Sequence, residues 1–458
     1  MAEEHSVVSR RRLLSLGLPA VAGVSLTAGS SRPVDAAPAK AATPVVKPIK
    51  PEPATGAAWP DRRKRIERAW LDLLGDFPTD IPDLKVEMKE IAKQNGITRY
   101  HLSFQAEADD RVTAWLLVPD TAREKPAPAI ICIHSTTWGA GKNSTAGLSG
   151  RRLQDPPTPR AGGRANGLLL AEHGYVTLCI DLLTDGERIK PDERVMDTRG
   201  FYLKHPEWSI IGKNCWDVSR SVDFLQTLDF VDGKQIGVTG WSLGGHQSIF
   251  CAAFEPRITA TVSNGGVLDW HRHSEAWSRK PTSWTPWKKG DPETNSPELQ
   301  RRFGFKENTN SGPYIYIKKF RPWIDDQSLP LTTDFDELMM LVAPRPQLII
   351  SSEWEFYGHK SMPKLLDAMK VYVGWQDAPG LPRVVEARKE RMGYDKTLAY
   401  YEFNYGHKAE KIPGMLKQIN AGDCFSWFSF PGGHNFPTVA QNYTFAWFDR
   451  WLGHEPPE

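Results

Sequence analysis

Apolar residues recur along this chain in two rhythms. Tyr100–Gln105 and Val112–Val118 alternate apolar and polar positions on either side of Ala108-Asp109-Asp110, which predicts an antiparallel hairpin. Ala129–His134 and Tyr175–Asp181 are continuous, β-branched-rich runs, the pattern of strands buried on both faces. Leu168–Glu172 reads as a helix. Val218, Val222, Leu225 and Leu228 recur at helical spacing and predict a helix that stops near Asp232-Gly233. A strand at Gln235–Thr239, a helix at Ser242–Phe254 and a strand at Ile258–Val262 follow. Gln347–Ser352, Ser361–Val373, Cys424–Phe430 and Val439–Leu452 continue the alternation. Strands alternating with helices build a mainly parallel sheet covered by helices on both faces, so the fold class is α/β.

Two stretches break the rhythm. Residues 268–335 hold Trp270, Trp277, Trp284, Trp287 and Trp323 among Pro and charged residues, and residues 376–421 separate a helix from the next strand. Long irregular stretches inside a compact domain are usually functional, and both are expected to be cap insertions over the C-terminal edge of the sheet. Residues 40–60 are rich in Pro and Ala and predict a linker, with the globular pattern starting near residue 61.

The N-terminus changes the picture of where the chain works. Ser9-Arg10-Arg11-Arg12-Leu13-Leu14 resembles a twin-arginine export signature, followed by an apolar stretch from Leu13 to Ala28 and by Ala37-Pro38-Ala39. Residues 1–39 are therefore expected to be a cleaved signal, delivering a periplasmic or secreted protein with no membrane attachment after cleavage. Residues 1–60 carry seven Lys/Arg against four Asp/Glu, so the whole-chain charge of +2 leaves about −1 for the rest. A nearly neutral body argues against nucleic acid as a partner, because phosphate binding leaves a basic footprint. The five cysteines show no CxxC spacing; Cys132, Cys179 and Cys251 fall in apolar runs and read as buried free thiols.

Gly240-Trp241-Ser242-Leu243-Gly244-Gly245 sits between a predicted strand and a predicted helix. A strand turning directly into a helix forces a strained backbone at Ser242, and Gly240 and Gly244 lack the Cβ atoms that would collide there. The Ser242 hydroxyl is then presented above the sheet at the positive end of a helix dipole. A hydroxyl near neutral pH needs an adjacent base to act as a nucleophile. His434 lies on Pro431-Gly432-Gly433-His434, a Gly-loosened loop between a strand and the last helix. His173, His205, His407 and His454 have no comparable setting, and His271 and His273 form at most a weak metal pair without a third ligand.

With these residues in view, the chain resembles the α/β-hydrolase superfamily, and within it the dienelactone-hydrolase, acetyl-xylan-esterase and prolyl-oligopeptidase-type branch. The likeness rests on Asp217–Leu225 running into Val231–Ser242, on Ala343-Pro344-Arg345-Pro346 and on Gly432-Gly433-His434. It implies an α/β-hydrolase fold, Ser242 as nucleophile and His434 as general base. The acid follows the strand Gln347–Ser352. The family's Gly-x-x-Asp spacing puts it at Glu355, with Glu353 as rival and Asp269 as a third candidate. Its task would be to hold the His434 tautomer. The oxyanion hole would combine the N–H of Leu243 with that of Ser135 or Thr136, where Ser replaces the family's Gly after His134. Trp138 and Trp241 are candidate substrate contacts. The stretch 139–166 after this loop reads as a mobile rim.

The implied reaction is ester hydrolysis through an acyl-enzyme, with no metal or organic cofactor. Acylated carbohydrates or plant-derived esters are the expected substrates, given export and the Trp-rich insertion. Leu243 departs from the Arg found after the serine in glucuronoyl esterases. An exported peptidase or amidase is the first alternative, and a non-catalytic binding protein on a hydrolase scaffold the second. Oligomeric state is not legible.

Overall fold

In the buried strands, alternate side chains enter two separate apolar layers, and that division sets the architecture. In a computed structural model of the chain, residues 59–137, 139–148, 165–190, 197–267, 315–320, 322–323, 328–330, 332–352, 417–421, 424–430 and 436–456 are described. Ten strands among them form one sheet: β1 Glu87–Gln94, β2 Ile97–Glu107, β3 Asp110–Pro119, β4 Ala127–Ile133, β5 Val176–Ile180, β6 Val231–Trp241, β7 Ala260–Asn264, β8 Gln347–Ser352, β9 Lys417–Ala421 and β10 Phe425–Phe430. Their order is β1-β2-β3-β5-β4-β6-β7-β8-β10-β9. Neighbours from β5 across to β10 are parallel; the antiparallel pairs are those at the two flanks.

The helices follow from this layering. They are α1 Trp59–Leu74, α2 Thr121–Glu124, α3 Lys142–Thr145, α4 Asn166–Glu172, α5 Arg199–Lys204, α6 Ile210–Leu225, α7 Leu243–Phe254, α8 Phe335–Val342 and α9 Thr438–Trp451. Ala129, Ile131 and Ile133 of β4 join α1, α6, α7 and α8 in the larger core. Ile130 and Cys132 face the other way, into a layer with Leu170 of α4 and Tyr443, Trp447 and Phe448 of α9. Helix α7 is buried from Leu243 to Ala253, as expected of a helix covered on all sides. Arg345, from the Ala-Pro-Arg-Pro run, donates from Nη1 to the carbonyls of Glu255 (3.0 Å) and Ile258 (2.9 Å), and from Nη2 to Ala252. This cation closes the C-terminal end of α7, where carbonyls lack partners and positive charge is favoured.

Several boundaries differ from the sequence reading. The helix containing Val218 ends at Leu225, and Asp232-Gly233 lies inside β6, because the strand extends back to Val231 beside Ala127 of β4. The linker ends at residue 58 or before, since Trp59 and Pro60 open α1. Residues 417–421, expected to belong to a cap, form β9 and pair antiparallel with β10. The end of the Trp-rich stretch is core as well: Ile317 and Phe320 are buried with α1, and Phe320 meets Trp70 edge-on at 6.2 Å. Residues 139–148, taken as part of a mobile rim, contain α3, in which Lys142 is only 1% exposed. All five cysteines are buried and free, as the apolar runs around them indicated.

Candidate active site

Register aligns the C-terminal ends of the parallel strands along one edge. Ile133 of β4 pairs with Ile180 of β5 and Gly240 of β6, Trp241 pairs with Asn264 of β7, and Ser352 of β8 pairs with Phe430 of β10. Ligands in open α/β sheets bind outside this edge, and Ser242 stands on it. The chain leaves β6 at Trp241 and enters α7 at Leu243, so Ser242 alone makes the turn, with φ +58° and ψ −117°. A non-glycine residue in such a conformation costs on the order of 1–3 kcal/mol and persists only where its surroundings enforce it.

The surroundings are backbone packed on backbone. A Cβ at Gly240 would lie 2.4 Å from the carbonyl carbon of Gly244; one at Gly244 would lie 2.2 Å from the carbonyl oxygen of Ile133. One at Gly245 would lie 2.4 Å from the carbonyl oxygen of Asn264. The Ser242 N–H donates to that Asn264 oxygen at 2.9 Å. The small residues around the serine are thus the condition for fitting α7 between the ends of β4 and β7. Ser242 stays half-buried, and as the residue before the helix it sits at the dipole's positive end.

Contact of Gly244 with Ile133 and His134 seats the loop leaving β4 directly on the first turn of α7. Ser135 and Thr136 continue that loop, and the N–H of Leu243, at the start of the helix, has no intrahelical partner. His134 is fully buried. Its Nε2 accepts from the Leu182 N–H at 3.0 Å, which leaves Nδ1 as the donor to the Ser135 carbonyl at 2.7 Å. The imidazole bridges the loops after β4 and β5. Trp241 ends β6 half-buried, with its ring against the smaller core layer. Trp138, Glu353, Glu355, Asp269, His434, the pair His271 and His273, and His407 lie outside the described residues, as do the predicted helix Ser361–Val373 and the signal segment. Strand exits next to those positions are described: β8 ends at Ser352 and β10 at Phe430, side by side on the edge that carries Ser242.

Sequence reasoning missed a charged system on the β3 side of this edge. Asp181, buried at the end of β5, accepts from the Lys142 N–H (2.7 Å), the Lys142 ammonium (2.5 Å), the Thr113 hydroxyl (2.7 Å) and the Glu187 N–H (3.1 Å). Arg188 binds Asp217 (2.7 Å) and Asp110 (2.6 Å), and Lys213 binds Asp110 at 2.6 Å. Burial opposes ionisation of Glu107, but the His205 hydrogen bond and the charges of Lys213 and Lys204 outweigh it and hold the carboxyl at about 2. Glu187 is likewise held at about 2 by His101 and Lys142 against burial. Of these groups, Glu107, Asp110, Glu187, Arg188, His205 and Lys213 line a cavity of about 480 Å³ between the β2–β3 turn, the loop after β5, and α5; Ser242 is not among its walls. The signal for this system was present but scattered, in the Asp and Lys/Arg residues flanking otherwise apolar runs. Among the other histidines, His173 pairs with Asp449 at 2.9 Å, His205 with Glu107 at 3.1 Å, and His454 with the His173 carbonyl at 2.9 Å, all satisfied without a catalytic partner.

Comparison with known proteins places this geometry in context. Residues 48–273 match the sequence profile of the Abhydrolase family, and residues 200–375 match that of fungal glucuronyl esterase. A glucuronoyl esterase from Solibacter usitatus superposes with a TM-score of 0.57 at 19% identity, covering 87% of this chain and 95% of that one. A promiscuous CE15 esterase from a marine bacterial metagenome gives 0.52 at 18% identity, covering 87% and 93%. In sequence, an acetyl esterase of Xylanibacter ruminicola is 25% identical over 194 residues, 40% of this chain and 36% of that protein. A carbohydrate esterase from an unknown prokaryotic organism is 25% identical over 200 residues, 41% and 39%. The chain spans well under half the length of these two relatives.

Proposed function

We propose that this chain, an α/β-hydrolase by its fold, is a serine carboxylic-ester hydrolase that acts through an acyl-enzyme on acylated carbohydrates or related plant-derived esters. The observation that carries the reading is the strained Ser242 at the head of α7, with φ +58° enforced by contacts that only glycines at 240, 244 and 245 permit. In the proposed mechanism His434 takes the Ser242 proton and the alkoxide attacks the ester carbonyl. The N–H of Leu243 and that of Ser135 or Thr136 hold the oxyanion. His434 then returns the proton to the leaving alcohol, and water releases the acyl group by the reverse path. Glu355, or its rival Glu353, orients His434. Trp138 and Trp241 contact the substrate.

The esterase relatives support a carbohydrate-linked ester as the substrate class. Leu243 stands where glucuronoyl esterases carry Arg after the serine, which favours acylated carbohydrates over uronoyl esters as substrates. The N-terminal segment supports export; a mature protein beginning near residue 40 by intact mass checks it. No helix among the described residues is long and apolar enough to cross a membrane.

One experiment tests enzyme class and cap together. A fluorophosphonate probe should label Ser242, and p-nitrophenyl acetate and acetylated xylan should both be turned over, while aminoacyl anilides should not. Preference for the anilides would make the protein a peptidase, and absence of labelling would leave a binding scaffold. The same panel is then run on a variant in which residues 268–314 are replaced by a short Gly/Ser linker. Ile315–Trp323 is kept because Ile317, Phe320 and Trp323 complete the core around α1. Hydrolysis of p-nitrophenyl acetate should stay within threefold, whereas activity on acetylated xylan should fall tenfold or more, since remote contacts position the reacting carbonyl. Equal losses on both substrates would remove the cap role.

A further inference from the structure

The loop proposed to supply the second oxyanion donor leaves β4 as His134-Ser135-Thr136-Thr137, four positions without a glycine and with two β-branched residues, so something must hold its peptide planes in place. Its anchor on one side is the contact of His134 with Gly244. On the other side it is tied to the loop after β5 at three points: His134 Nε2 on the Leu182 N–H, Lys142 on Asp181, and Thr137 on Asp185. Thr137 occupies the middle. Its Oγ1 donates to Asp185 Oδ2 at 2.9 Å and accepts the Gly141 N–H at 2.6 Å, so one hydroxyl both closes the loop on itself and fastens it to its neighbour. Asp185 is itself fixed: it is 1% exposed, and its Oδ1 accepts the Gly186 N–H at 2.8 Å. Gly141 and Gly186 can have no side chain, because a Cβ at either would fall about 2.0 Å or less from Asp181 Oδ1.

We infer that Thr137 is a positioning residue for the reaction: its hydroxyl, clamped between the Gly141 amide and the Asp185 carboxylate, sets the orientation of the Ser135–Thr136 amides over Ser242. The inference rests on the esterase reading of Ser242. Thr137 touches no substrate; it acts on the transition state through the backbone it holds. Its loss therefore lowers kcat and leaves ground-state binding in place. Removing one oxyanion donor costs 10²–10³ in kcat in well-studied serine hydrolases, and a misaligned donor costs less.

Thr137→Val keeps the shape and removes both hydrogen bonds; Thr137→Ser keeps both. On p-nitrophenyl acetate the valine variant should lose about 10–100-fold in kcat with KM within threefold. The serine variant should remain within threefold of the parent in both constants. A boronic acid that binds as a tetrahedral adduct of Ser242 should weaken against Thr137→Val by the same factor as kcat. If the valine variant does not fold, Asp185→Asn, which keeps the shape and loses the charged acceptor, should lose about tenfold in kcat at constant KM. The proposal is overturned by a folded Thr137→Val or Asp185→Asn with kcat within threefold of the parent. It is equally overturned if the serine variant is as impaired as the valine, or if KM rises instead of kcat falling. Fluorophosphonate labelling of the parent keeps the two readings separate. Labelling with an unaffected Thr137→Val rejects the clamp alone; absence of labelling rejects the esterase reading.

Discussion

Ser242→Ala is expected to lower kcat on p-nitrophenyl acetate by about 10⁴–10⁶ while leaving the thermal transition within a few degrees of the parent. The two halves of this expectation come from different features of the elbow. The catalytic half follows from chemistry: with the hydroxyl gone, the base and the oxyanion donors have no nucleophile to act on, and only attack by water remains. The structural half follows from packing. What holds the turn is the contact of Gly240 with Gly244, of Gly244 with Ile133, and the Ser242 N–H bond to Asn264. All of these survive in alanine, which has a Cβ and an N–H. Gly244→Ala is the converse case, since its Cβ would meet the Ile133 carbonyl oxygen at 2.2 Å and must displace β4 or α7. Steady-state kinetics on the purified alanine variant, with its melting curve, read both halves. Retention of a tenth of the parent activity would remove Ser242 from the mechanism.

How far the sequence announced this site depended on what each residue has to bury. Continuous apolar runs such as Ala129–His134 and Gln347–Ser352 matched β4 and β8 nearly to the residue, because runs this short and rich in β-branched residues suit strands buried on both faces. The elbow was legible because its steric demand falls on glycines. Strand β1 was not: all eight residues from Glu87 to Gln94 are exposed, so it is held by backbone pairing with β2 and imposes no apolar alternation. Helix α1 was missed because its buried residues, Ile66, Trp70 and Leu74, are set among Arg62, Arg63, Lys64 and Arg65. Some of those cations are spoken for: Arg63 binds the Leu341 carbonyl at 2.7 Å and Arg65 binds Glu337 at 2.6 Å. The stretch 139–166 is rich in Gly, Pro and Arg and so read as a mobile rim. Lys142 within it is instead held by Asp181, a partner 39 residues away that no local pattern reveals.

The ranking of the carboxylates carries the second large effect. Glu355→Gln should lower kcat by up to about 10⁴, and Glu353→Gln by tenfold at most, with both variants folded. The argument begins with strand order. β10 lies beside β8, then come β7 and β6, so the exit of β10, which precedes His434, is three strand spacings from the nucleophile. At about 4.8 Å per step that is roughly 14 Å, which, on the proposed mechanism, a base following β10 would have to span by reaching inward across β8. A carboxylate leaving β8 at Ser352 is the one such a loop passes, which favours the residues after β8 over Asp269 after β7. Between the two glutamates, the family spacing from Ser352 selects Glu355. An orienting acid fixes the tautomer that leaves the distal ring nitrogen free to accept the serine proton, and a neutral amide of the same shape can select the wrong one. A pH–rate profile adds a second reading: Glu355→Gln should also move the acidic limb, because the imidazolium loses its stabilising charge. Its pKa falls and the limb shifts to lower pH. A larger loss for Glu353→Gln would exchange the roles. Near-normal activity in both variants would pass the role to Asp269, tested in the same way with Asp269→Asn.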